Sequence, residues 1–66
     1  MINLEYERRQ KGLSQRKLAE CTRVGQNYIS FAESRGFVPA EGTQKKLADF
    51  LGWNDAPAKL FEEKED

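Results

Sequence analysis

The sequence contains no histidine, one cysteine and two prolines, and its eleven lysines and arginines are matched by eleven acids. Each shortage removes a class of protein. Without histidine, and with Cys21 alone, neither the usual zinc ligand sets nor a Ser/His or Cys/His nucleophile can be assembled, so no enzyme, metal or cofactor is expected. A glycine loop able to cradle phosphate is missing as well. One cysteine forms no intramolecular disulfide, whereas small secreted domains depend on several, so a cytoplasmic protein is expected. No apolar run approaches the roughly 20 residues that cross a bilayer, and Met1–Glu5 lacks the charged-then-apolar order of an export signal. Membrane partners are therefore not expected.

What is present is short and polarised. A chain of 66 residues buries only about 60% of the surface its unfolded form exposes, which implies one economical core and one domain over residues 1–66. A net charge of zero counts against a nucleic-acid binder, because phosphate neutralisation supplies most of the affinity. The distribution argues the other way: residues 1–35 hold seven basic side chains and four acidic ones, net +3, leaving −3 on the remainder. Such polarity suits one DNA-facing side and one solvated or partner-facing end.

Hydrophobic spacing and stop signals predict five helices and no strands. The first covers residues 2–11, with Leu4, Arg8 and Lys11 on one face and Gly12 as its stop. Ser14 caps a brief second helix, Gln15–Thr22, with Leu18 and Ala19 inward. After Gly25 a third runs over Gln26–Arg35 and ends at Gly36. A fourth, residues 41–51, is polar in its first half and apolar in its second, before Gly52. Asn54 or Asp55 caps a last helix with Pro57 in its first turn, Leu60–Phe61 as its apolar pair, and Glu62–Asp66 as a frayed, solvated end. Cys21 is expected to be a buried or half-buried filler. Trp53, Leu60 and Phe61 are expected to join the core or to cover helix one, with a dimer interface as the alternative.

Two short helices joined by a tight turn are the unit that lays one helix into the DNA major groove, and here the unit is residues 15–34. Lys11-Gly12-Leu13-Ser14-Gln15, then Leu18-Ala19, Val24, Ile29-Ser30 ten residues after Ala19, Glu33, Gly36, Pro39, Thr43, Leu47-Ala48, Leu51-Gly52 and Leu60-Phe61 together resemble the Cro/C1-type (XRE-like) helix-turn-helix family over nearly the whole chain. The resemblance implies an all-α, compact five-helix lambda-repressor-like domain that binds double-stranded DNA. It further implies a small transcriptional regulator, a repressor working as a homodimer on a palindromic operator.

By the same resemblance Gln15 contacts the DNA backbone or a base edge, Gln26, Asn27 and Ser30 face the groove, and Arg35 contacts phosphate. Arg8 and Glu33 correspond to the family's structural ion pair beneath the DNA face. Arg16 and Lys17 oppose the macrodipole in the first turn of helix two, a small cost that a docked phosphate reverses, although they also serve as plain solubilising charge. Gln and Asn amides match adenine, and Phe31 in a groove would meet a thymine methyl. By the resemblance the positions of Tyr28 and Phe31 lie near the DNA face, yet both serve equally well as packing aromatics, and Gln26, Asn27 and Arg35 as ordinary solvated side chains. The sequence departs from the family at Arg23, where glycine is usual, and at Glu41 and Gln44, where leucine is usual. A rival reading is a protein-interaction module of the same fold, such as an antitoxin or a regulatory partner.

Overall fold

A computed structural model, which describes residues 1–65, contains four α-helices followed by one 3-10 turn. The helices are α1 (Asn3–Gln10), α2 (Gln15–Thr22), α3 (Gln26–Arg35) and α4 (Glu41–Leu51), and the turn is Pro57–Phe61. Each of the five elements sends one fully buried side chain to a shared core: Leu4, Leu18, Ile29, Leu47 and Leu60. At about 2 kcal/mol for each such burial, this cluster is the main force that fixes the helices against one another. Ala19, Ala32 and Ala48 lie in the same cluster, and their small side chains let neighbouring helices approach closely.

Local chemistry accounts for the boundaries. Ser14 Oγ accepts a 3.0 Å hydrogen bond from the Lys17 amide and starts α2. In α1, Glu5 in the first turn and Arg8 and Arg9 in the last complement the macrodipole. α3 ends at Gly36, whose φ of 70° is the left-handed geometry that costs other residues about 1–2 kcal/mol. Arg23, at the end of α2, adopts the same geometry (φ 60°, ψ 26°) without being glycine, and is the one non-glycine residue to do so among the described residues.

Gln44 is buried, and its amide donates to the Pro39 carbonyl at 2.9 Å, whereas Glu41 is exposed. A polar residue thus occupies an inward position of α4 because its donor is satisfied there.

Three expectations require correction. The predicted fifth α-helix is the five-residue 3-10 turn Pro57–Phe61, and the chain behind it does not continue as a frayed helix end. Glu62 is extended (φ −92°, ψ 157°), its carbonyl accepts from the Asn3 amide at 3.0 Å, and the Lys64 amide donates to the Met1 carbonyl at 2.9 Å, so that Ile2 and Glu63 form an antiparallel bridge. Burying Leu60 and Phe61 brings the strandless C-terminal segment beside the N-terminus, where backbone pairing satisfies groups that a solvated helix end would leave to water. Asp66, included in the expected acidic end, lies outside the described residues.

Cys21 is exposed, not buried or half-buried. The inward phase of α2 is Leu18, Ala19 and Thr22, which turns position 21 to solvent. Trp53 is half-buried against the core and donates from its indole nitrogen to the Ala56 carbonyl at 3.0 Å.

Candidate nucleic-acid interface

The junction between α1, α2 and α3 is a polar node set into an apolar core. Arg8, from α1, donates through Nε and Nη2 to the two carboxylate oxygens of Glu33 on α3, each at 2.8 Å. Its Nη1 donates to the Leu13 carbonyl in the α1–α2 connection at 2.7 Å. The side chains of Arg8 and Glu33 are 9% and 4% exposed, so this pair is withdrawn from solvent. Hydrogen bonding to Glu33 raises the Arg8 pKa above its ordinary value against the opposing effect of burial, with the negative charges of Glu33 and Glu5 adding to the rise.

Gln15, the first residue of α2, donates to Glu33 Oε1 at 3.0 Å. That bond sets the N-terminus of α2 beside the later turns of α3. It also spends one N–H of the Gln15 amide; the second N–H and the carbonyl oxygen remain for a ligand.

Arg16 and Lys17 follow on the exposed start of α2. Arg16 lies 3.4 Å from Glu20, one helical turn on, with the arginine side chain 80% exposed, a pairing worth less than about 1 kcal/mol and easily exchanged for a phosphate. Because Ser14 occupies the Lys17 amide, the remaining unpaired N–H groups of the helix start belong to Gln15 and Arg16.

α3 turns Ile29 and Ala32 inward and presents Gln26, Asn27, Tyr28, Phe31, Ser34 and Arg35 to solvent, with Ser30 half-buried. No side chain caps its start. A Cβ at Gly25 would stand 2.8 Å from Asn27 Oδ1 and 3.3 Å from the Tyr28 ring, so glycine there leaves room for both side chains over the first turn.

The two aromatics of α3 point to different neighbours. Tyr28 stacks on Phe37 in the α3–α4 connection, ring centroids 5.9 Å apart and planes at 17°. Phe31 carries the Arg35 guanidinium 4.9 Å above its ring centroid. Arg35, expected as a phosphate contact, is thus engaged with an aromatic of its own helix. Phe37 and Val38 are both exposed, extending the apolar surface beyond Tyr28. Sequence reading passed over these two because a bend after a glycine stop carries no periodicity that assigns a face.

Among the described residues no group of three or more His, Cys, Asp or Glu side chains could hold a metal ion, and no helix is long and apolar enough to cross a membrane. Comparisons with curated proteins and with solved structures returned no match. The family model described as "Helix-turn-helix" matches residues 4–54, a span that begins in α1 and extends just past α4. Families of this kind contain sequence-specific DNA-binding regulators and are not generally enzymatic. With a match over most of its length and an all-helical core in which a buried ion pair ties α1 to α3 and a hydrogen bond from Gln15 adds α2, this chain belongs to the Cro/C1-type helix-turn-helix family.

Proposed function

We propose that this protein is a cytoplasmic transcriptional repressor that binds a palindromic operator as a homodimer, with α3 in the major groove. The observation that carries the reading is the outward face of α3: Gln26, Asn27 and Phe31 are exposed, with Ser30 half-buried beside them, on a helix whose opposite face is locked into the core by Ile29 and Ala32. The N-terminus of α2, held against α3 by the Gln15–Glu33 bond, supplies Gln15, Arg16 and Lys17 to a flanking phosphate. Tyr28 lines the edge of the same contact, and residues 1–35, net +3, provide the attractive field.

A homodimer follows from the size of the contact. One such module touches too few groups for high specificity, whereas a two-fold pair reads half-sites roughly 34 Å apart. Occupancy of such a site blocks transcription.

Selection of bound duplexes from a random pool at two salt concentrations tests this reading. A two-fold symmetric motif enriched at both salts supports it. Absence of any enriched motif, together with a log–log salt slope near zero, removes it. The second reading, a protein-interaction module such as an antitoxin or regulatory partner, is favoured by the exposed Tyr28, Phe37 and Val38 beside the same helix and would then take its place.

A further inference from the structure

The exposed face of α3 also carries information about which bases it suits. Over its first two turns, Gln26 to Phe31, the helix contains no lysine, arginine, aspartate or glutamate. Its two charged residues lie further on and are both engaged: Glu33 with Arg8, and Arg35 with the Phe31 ring. In the major groove guanine is read by arginine or lysine and cytosine by aspartate or glutamate, while adenine pairs with asparagine or glutamine amides and thymine presents its 5-methyl to apolar side chains. The exposed side chains Gln26, Asn27 and Phe31 provide the second set of groups and lack the first. Ser34 does not add to them, since its hydroxyl is turned back onto the Ser30 carbonyl at 2.7 Å.

Resting on the DNA-binding reading above, we propose that each half-site has an A·T core in which the Gln26 and Asn27 amides take adenine and the Phe31 ring contacts the thymine 5-methyl. Arg35 is a positioning residue in this scheme. Its guanidinium covers one face of the Phe31 ring, 4.9 Å from the centroid, and holds the 37% exposed ring in place at the helix surface. Between Gln26 and Phe31 no basic side chain offers a contact to guanine, so discrimination there depends on a methyl group and two amides.

The test replaces thymine by deoxyuridine in the half-sites of the selected duplex, which deletes the methyl and leaves base pairing intact. Binding of the wild type, Phe31→Ala and Arg35→Ala to both duplexes is then measured. The wild type should bind the deoxyuridine duplex about fourfold more weakly for each methyl it contacts. Phe31→Ala should bind the two duplexes equally, and Arg35→Ala should narrow the difference between them. A selected motif with a G·C core, equal binding of both duplexes by the wild type, or a full thymine preference retained by Phe31→Ala each overturns the proposal while leaving DNA binding intact. If Arg35→Ala weakens both duplexes by the same factor, Arg35 serves a phosphate and its positioning role is overturned. Failure of the underlying reading is distinct: no motif is selected at all.

Discussion

The guanidinium of Arg8 and the carboxylate of Glu33, 25 positions apart in the chain, close on each other through two parallel hydrogen bonds of 2.8 Å inside the molecule. Gln15 and the Leu13 carbonyl complete the node, so one ion pair joins α1, the α1–α2 connection, α2 and α3. A buried pair of this kind is weak evidence of net stability but costly to break, because the survivor is left charged and desolvated.

Glu33→Gln is therefore expected to destabilise the fold by about 3–5 kcal/mol, a large share of what so small a domain possesses. Urea titration followed by circular dichroism measures it. The double variant Arg8→Met with Glu33→Leu should lose less than the two single losses added together; simple additivity would mean the pair is not coupled.

Substitutions at the interface should separate by role. Gln26→Ala and Asn27→Ala are expected to weaken binding to the selected operator by about 1–3 kcal/mol each and to relax base preference. Arg16→Ala should weaken every duplex alike and reduce the salt slope by about one. Equal, sequence-independent losses for all three would remove the base-reading roles of Gln26 and Asn27.

Arg23 is held at φ 60°. Relief of left-handed strain favours glycine there by about 1–2 kcal/mol, and the greater freedom of glycine in the unfolded chain offsets part of that gain. Arg23→Gly should accordingly raise the melting temperature. A lower melting temperature would show that the arginine side chain contributes more to the fold than its backbone geometry costs.

The pairing of the chain ends has its own signature. The amides of Asn3 and Lys64, which donate to Glu62 and Met1, should exchange with deuterium well below the rates of a free peptide. Exchange of the Lys64 amide at the free-peptide rate would place the C-terminal segment in solvent.

The helices α1 to α4 were legible because each repeats inward residues at helical spacing and ends at a recognisable signal: Ser14 at the start of α2, Gly36 after α3, Gly52 after α4. The outward placing of Gln26, Asn27, Ser30 and Phe31 came from the family resemblance; with Ile29 and Ala32 inward, Gln26, Asn27 and Phe31 are exposed and Ser30 is half-buried. The segment after Trp53 was misread. Pro57 and the Leu60–Phe61 pair suit a helix start locally, yet the burial of that pair under other elements shortened the segment to a 3-10 turn and sent Glu62 into extended geometry. Cys21 was misjudged because residue type carries less information than helical phase.

By itself the sequence determined the all-helical class, the four α-helices and the family, because periodicity, caps and stop residues act within a few positions of one another. Tertiary structure alone decided matters that depend on distant partners: the depth at which Arg8 and Glu33 meet, the capture of one Gln15 N–H by Glu33, the stacking of Tyr28 on Phe37, and the bridge between Ile2 and Glu63. None of these has a local cause. Each arises because packing Leu4, Leu18, Ile29, Leu47 and Leu60 into one core brings separate stretches of chain within hydrogen-bonding or van der Waals reach.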